Sequence, residues 1–160
     1  MLDLTTEFHQ AFYSRDLDKL TNLLRRKEEI DVKRLDKSHL LETATRKGHL
    51  EIVRLLLRVG VNPTYPIGGD RPLHFACKVG NLPIAELLLE NGADIDAIFK
   101  GFNCTPLDIA VLHKKTSITK LLLENGCKTN VRNHEGQTAL EVAMNRRCLD
   151  GVKQLAFHDK

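Results

Sequence analysis

Residues 71 to 96 read Arg71-Pro-Leu-His-Phe-Ala-Cys-Lys-Val-Gly-Asn-Leu-Pro-Ile-Ala-Glu-Leu-Leu-Leu-Glu-Asn-Gly-Ala-Asp-Ile-Asp96, and versions of this stretch recur along the 160-residue chain. The alanine of its first part returns about every 33 residues, at Ala11, Ala44, Ala76, Ala110 and Ala143. Runs of leucine keep the same step. A repeat of this length predicts a row of similar units, each too small to bury its apolar face except against its neighbours.

Apolar periodicity predicts that each unit is a pair of helices. In the second unit, Ile52, Val53 and Leu56 recur at helical spacing, and polar residues fill the positions between them. Pro72 and Pro106 stand where first helices of later units begin, a place where a missing N–H costs little. The chain is therefore predicted to be helical, without a central sheet.

The turn between the two helices of a unit carries glycine at Gly48 and Gly80. Arg15, Lys114 and Arg147 occupy the same place in the other units, where a left-handed backbone would strain any residue except glycine. In the fourth unit, residues 116–119 read Thr-Ser-Ile-Thr where an apolar second helix should begin. We expect a loose or shifted helix there.

Three motifs in register identify a known pattern. Residues 71–76, 105–110 and 138–143 follow Thr-Pro-Leu-His-x-Ala with few changes, and residues 48–53 spell Gly-His-Leu-Glu-Ile-Val. On these motifs the chain resembles ankyrin-repeat proteins over essentially its whole length. The resemblance implies an all-α solenoid of stacked helix-turn-helix units with β-hairpin-like finger loops, and a non-catalytic role in protein–protein interaction.

We predict a single domain over residues 1–160. Its ends are degenerate, as expected of caps with one polar outer face: Gly151 and Gln154, for example, replace apolar residues of a second helix. These degenerate ends favour a self-contained unit. The repeats are predicted at 4–35, 36–68, 69–101, 102–134 and 135–160, the first and last being caps.

Composition excludes several classes of protein. A net charge of +3 is too small to indicate nucleic-acid binding, and no apolar run is long enough to span a membrane. The start of the chain lacks a basic and apolar signal segment. The four cysteines form no Cys-x-x-Cys pair, so neither a zinc site nor a disulfide framework is predicted. These features favour a cytoplasmic or nuclear location.

No motif of a known enzyme class is present, and the seven histidines are scattered. His74 is expected to hydrogen-bond between loops, and His49 to play a similar structural part. Glu42, Asp108 and Glu141 take the position of His74 in other units, which argues against a metal or catalytic set there. We therefore predict no catalytic residue, no metal site and no cofactor.

Two neighbouring finger tips carry more apolar bulk than a solvated loop needs, and basic residues follow the ends of successive first helices. Exposed aromatic groups are typical of interface hot spots, and a row of cations would steer an acidic partner. The alternatives are that the aromatic rings seal their own hairpins and that the cations form an ordinary solvated face. The candidate partner-binding residues are Tyr65, Ile67, Arg71, Lys78, Ile98, Phe99, Lys100, Phe102, His113 and Arg146.

The function predicted first is a binding module or adaptor that holds a protein partner, acidic or with an apolar anchor, on its concave face. The alternative is a small regulator of a cell-cycle kinase or of a transcription factor that acts by stoichiometric binding. Small ankyrin inhibitors of cyclin-dependent kinases tend to have a shortened helix in the second unit, whereas residues 48–53 here are complete. Catalysis and nucleic-acid binding are the rival classes.

Overall fold

A computed structural model describes residues 4–25, 37–64, 71–99 and 101–158. Within these residues the chain forms ten helices and no β-strand. The helices are α1 (Leu4–Ser14), α2 (Leu17–Arg25), α3 (Lys37–Arg46), α4 (Leu50–Arg58), α5 (Pro72–Val79), α6 (Leu82–Glu90), α7 (Pro106–Leu112), α8 (Thr116–Glu124), α9 (Ala139–Asn145) and α10 (Leu149–His158).

The helices stack in two rows. Each odd-numbered helix packs against the even-numbered helix that follows it, and the short turns between them make the two antiparallel. Helices α3, α5, α7 and α9 pack in one row, and α2, α4, α6, α8 and α10 pack in the other. This arrangement confirms the predicted all-α solenoid.

The core follows the period of the sequence. Each repeated alanine of the first helices is at most 1% exposed, and leucines of the second helices such as Leu88 and Leu122 are fully buried. A small side chain at the alanine position lets the helices approach closely, while the leucines fill the space between successive units. Phe8 and Phe12, which are almost fully buried, add bulk in the first unit.

The same hydrogen bond closes every turn between paired helices. The carbonyl of the repeated alanine accepts the N–H five residues later, as in Asn81 N–H to Ala76 O at 3.1 Å and Lys115 N–H to Ala110 O at 2.8 Å. The residue just before that donor has a positive φ in all five turns. Gly80 has φ +89°, and Arg15, Lys114 and Arg147 also have a left-handed backbone, with φ 62°, 54° and 51°, so the strain considered for these positions applies.

The expectation of a loose or shifted α8 is wrong. α8 has nine residues, as α4 and α6 do, and begins two residues after its turn, as they do. Thr119 is only 1% exposed, and its hydroxyl donates to the carbonyl of Lys115 at 3.2 Å. Because this bond satisfies the hydroxyl inside the helix, threonine can occupy a position that is apolar in the other units.

The finger loops are held by a few backbone bonds. Phe99 N–H donates to Cys104 O at 2.9 Å in an isolated β-bridge, and Asn133 N–H donates to Gln137 O at 2.9 Å. Neighbouring fingers are also joined, because Lys128 N–H donates to a carboxylate oxygen of Asp96 at 2.8 Å. The fingers are thus minimal hairpins, linked side by side.

The last helix pair departs from the others in the way its sequence suggests. Gly151 is buried, and a side chain there would meet the sulfur of Cys148 at 3.1 Å. The amide of Gln154 donates back to the carbonyl of Thr116 at 3.3 Å. Met144, whose counterpart Val111 is 1% exposed, is 59% exposed, because no further helix packs on it within the described residues.

Candidate functional site

A groove of about 470 Å³ runs across the third, fourth and fifth units. One side is formed by the first helices α5, α7 and α9, and the other by the fingers that precede α7 and α9. The first helices contribute Ile109, Leu112 and Val142 to an apolar floor. A groove with an apolar floor and polar edges is typical of a binding site rather than of a solvated face.

Aromatic rings from two fingers form the tip side of the groove, which we call the aromatic wall. Phe99 and Phe102 have ring centroids 5.5 Å apart, and the ring of His134 lies edge-on to Phe102 at 5.2 Å. Phe99 is half-buried and lies over Gly101 of its own finger, whereas Phe102 is 53% exposed. Phe99 therefore seals its hairpin, and Phe102 presents its ring to the groove.

His134 was not among the predicted site residues. Its backbone N–H and its Nδ1 both lie 3.0 Å from the carbonyl oxygen of Phe102. Because a carbonyl can only accept, Nδ1 carries the proton, which fixes the orientation of the ring. The signal in the sequence was the register: His134 follows Phe102 by 32 residues, close to the length of a repeat, and residues about one repeat apart lie side by side.

Positive charges line the opposite edge, where the first helices end; we call this edge the cationic rim. Lys78, His113 and Arg146 lie there, at the ends of α5, α7 and α9. The side chain of Lys115 lies against Gly80, where an added Cβ would come within 2.8 Å of its Cδ. Burial, together with the charges of Lys78, Lys115 and Arg146, lowers the pKa of His113.

Two further titratable groups face the groove, Asp108 and Cys104. Asp108 accepts from the N–H and the hydroxyl of Thr105, both at 2.8 Å, and burial raises its pKa against the effect of these bonds. Cys104 lies 3.4 Å from the carbonyl of Phe102, and burial, helped by the charges of Asp108 and Glu135, raises its pKa to about 11. The carboxylate caps a helix, and the thiol stays protonated near neutral pH.

Known proteins share this repeat. The family described as Ankyrin repeats (3 copies) matches residues 8–99 and, in a second match, residues 97–160. The chain belongs to the ankyrin-repeat family. Ankyrin repeats are protein–protein interaction modules, so the family adds a general function to the geometry of the groove.

Individual relatives are longer than this ankyrin chain. The ankyrin repeat protein FPV031 of Fowlpox virus (strain NVSL) is 32% identical over 126 residues, which cover 76% of this chain and 37% of the viral protein. The ankyrin repeat protein L371 of Acanthamoeba polyphaga mimivirus is 30% identical over 131 residues, with 81% and 17% covered. Ankyrin repeat and SOCS box protein 11 of Mus musculus is 31% identical over 105 residues, with 65% and 32% covered. The chain thus spans between 17% and 37% of the length of these relatives.

The ankyrin groove brings together half of the predicted site residues. Lys78, Phe99, Phe102, His113 and Arg146 line it.

Of the other five predicted residues, the structure describes two, Arg71 and Ile98, and neither lines the groove. Arg71 donates to the carbonyl of Thr64 at 3.1 Å and lies 3.6 Å from a carboxylate oxygen of Asp94, so it ties a finger to its neighbour instead of facing the groove. Ile98 is half-buried in its finger and is not part of the lining. Tyr65, Ile67 and Lys100 lie outside the described residues.

His74 plays the structural part predicted for it. Its Nδ1 accepts the N–H of Arg71 at 3.4 Å, so Nε2 carries the proton and donates to the carbonyl of Ala97 at 3.0 Å. Asp108 and Glu141 receive the N–H of the residue before their own helices in the same way. The residues 4–25, 37–64, 71–99 and 101–158 hold no cluster of three or more metal-binding side chains.

Likewise, none of the helices described is both long and apolar enough to cross a bilayer.

Proposed function

We propose that this ankyrin domain holds a protein partner in the groove of its third to fifth repeats and catalyses no reaction on it. The observation that carries the proposal is the pairing of an exposed aromatic ring, Phe102, with a rim of cations on the opposite edge of one apolar floor. Aromatic residues and arginine dominate the energetics of protein interfaces, and surrounding charges set orientation and rate of encounter.

The chemistry of the groove supports binding over catalysis. A nucleophile needs an ionised or activated group beside a base, but burial keeps the Cys104 thiol protonated. The Asp108 carboxylate is already occupied by two donors from Thr105. His134 directs its Nδ1 proton to a backbone carbonyl. Each of these groups therefore has a structural task within the fold.

An unbiased library of displayed peptides tests the proposal. Peptides selected on the wild-type domain should lose affinity about tenfold or more in Phe102→Ala, the loss expected of a hot-spot aromatic residue. Phe157→Ala is the matched control, because Phe157 is also exposed but lies on α10, away from the groove lining. Circular dichroism checks that both variants fold. Equal affinity of the wild type and Phe102→Ala for every selected peptide would refute the groove as the site.

An adaptor role is supported by relatives in which similar repeats form part of a longer protein, such as Ankyrin repeat and SOCS box protein 11. The alternative is a regulator of a cell-cycle kinase or of a transcription factor. The small kinase inhibitors tend to have a shortened helix in the second unit, whereas α4 has its full nine residues. We propose a cytoplasmic or nuclear location, since four buried free cysteines suit a reducing compartment. Kinase and reporter assays with the captured partner would separate these roles.

A further inference from the structure

The cationic rim collects charge from three consecutive repeats around one histidine. Lys78 is in the last turn of α5, Lys115 precedes α8, and Arg146 follows α9. His113 follows α7 between them, and its pKa responds to all three positive charges. The carbonyl ends of α5 and α9 favour the nearby cations Lys78 and Arg146, but they do not neutralise the group.

No carboxylate of the described residues pairs with Lys78, Lys115 or Arg146, whereas acidic groups elsewhere are engaged with other cations. The second repeat offers the contrast. Arg46 lies 3.8 Å from a carboxylate oxygen of Glu42, and the ammonium of Lys47 lies 5.5 Å from the ring centroid of Tyr13. The cations at the start of the row thus have partners within the chain, whereas Lys78 and Arg146, which line the groove, and Lys115, which lies beside Gly80, have no acidic partner among the described residues.

The spacing of the open cations limits the kinds of ligand that can contact all of them. They are spread over three repeats along one edge, so a single small anion would meet only part of them. A chain in extended conformation advances about 3.3 Å per residue and can place several carboxylates along such an edge. The same chain can turn its alternate side chains towards the apolar floor and the aromatic wall.

We propose that the groove takes an extended acidic segment of a protein, with carboxylates along Lys78, Lys115 and Arg146, an apolar side chain against Phe102 and His134, and a proton gained by His113 on binding. This inference rests on the function proposed above and adds the chemistry of the partner to it.

The uptake of a proton by His113 follows from the charges around it in the free protein and in the complex. In the free protein burial holds the pKa of His113 below the ordinary 6.5, and the charges of Lys78 from α5, Lys115 from the turn before α8 and Arg146 from the end of α9 lower it further. Carboxylates placed beside them would raise that pKa. Binding then takes up a proton, so affinity rises as the pH falls through the pKa that His113 has in the complex, by up to about tenfold for each unit that the pKa rises.

The experiment starts from the same library of displayed peptides, selected on the wild-type domain. Enriched peptides should carry several aspartate or glutamate residues. Their affinity should fall about tenfold in Lys78→Gln combined with Arg146→Gln, and this loss should shrink at high salt. Arg58→Gln, at the exposed end of α4, is the matched control and should bind like the wild type.

Histidine variants isolate the proton. Titration at about pH 6 and about pH 8 should show tighter binding at the lower pH for the wild type, and no such gain for His113→Gln. His39→Gln, outside the groove, should keep the gain. A gain that persists in His113→Gln but is lost in His134→Gln would overturn the assignment of the proton.

Other outcomes separate this inference from the proposed function. Selected peptides that are neutral but lost on Phe102→Ala would overturn the acidic partner and leave the groove as the site. Peptides indifferent to every groove variant would overturn both. An oligonucleotide that displaces the acidic peptides at physiological salt with higher affinity would assign the cations to nucleic-acid phosphates and overturn the protein partner.

Discussion

The turn between paired helices allows a reciprocal test of backbone strain. Gly80 and Lys114 occupy the same turn position in neighbouring repeats, with φ of +89° and 54°. Gly80→Ala places a side chain in a left-handed backbone, and Lys114→Gly removes one from it. The two changes should therefore shift stability in opposite directions.

The magnitudes follow from three terms. An L-residue in the left-handed region costs about 1–2 kcal/mol, and alanine recovers about 0.4–1 kcal/mol because it has less backbone freedom than glycine to lose on folding. The new Cβ would also lie 2.8 Å from Cδ of Lys115, so that side chain must move. We expect Gly80→Ala to destabilise the fold by about 1 kcal/mol and Lys114→Gly to stabilise it by about 0.5 kcal/mol, because the same terms change sign.

Urea unfolding followed by circular dichroism gives both differences, and a shift of about 3 °C in Tm should accompany the first. Gly48→Ala is the matched control, since its Cβ would meet only the amide of Asn81, at 3.3 Å. The excess loss in Gly80→Ala over Gly48→Ala measures the displacement of Lys115. If Lys114→Gly lowers stability as much as Gly80→Ala does, the reasoning about strain is refuted.

Three further results are expected. Iodoacetamide near neutral pH should label Cys104 before Cys77, because Cys104 borders the groove whereas burial raises the pKa of Cys77 further. If mass spectrometry detects the label on Cys77 first, this prediction is contradicted. Thr105→Ala should lower the free energy of unfolding by about 2 kcal/mol, and Thr138→Ala, at a more exposed cap, by about 1 kcal/mol. The difference arises because only Thr105→Ala leaves a buried carboxylate short of a donor. Equal losses in urea unfolding would count against this explanation. Lowering the pH through 6.5 should reduce Tm less in His113→Gln than in the wild type, since the unfolded chain takes up the His113 proton at higher pH than the folded one; identical slopes would argue against a lowered pKa.

The fold could be predicted from the sequence because the same pattern of small and apolar residues recurs in five units. The repeated alanine marked the close contact between helices, and the glycines of two turns marked the position at which Arg15 and Arg147 also have a positive φ. The prediction failed where one unit was judged by apolar character alone. Thr119 keeps its helix intact by donating its hydroxyl to the carbonyl of Lys115, a contact that no count of apolar residues reveals.

The candidate site was harder to predict because exposure depends on small differences within a finger. Phe99 and Phe102 are three residues apart, yet one lies over its own glycine and the other is exposed. Arg71 has the same charge as the rim residues, but its partners Thr64 and Asp94 turn it into a tie between loops. Type and register locate a region of the surface, and only packing decides which side chains face a ligand.

The bonds that join neighbouring fingers have a mechanical consequence. Asn103 donates to the carbonyl of Arg132 at 2.6 Å, and the ring of His134 holds the carbonyl of Phe102. A force applied to one finger tip is therefore transmitted in part to the next finger through these hydrogen bonds. Widening of the groove would spread over several small rotations, and its elastic stiffness is a property of the whole row rather than of any single loop.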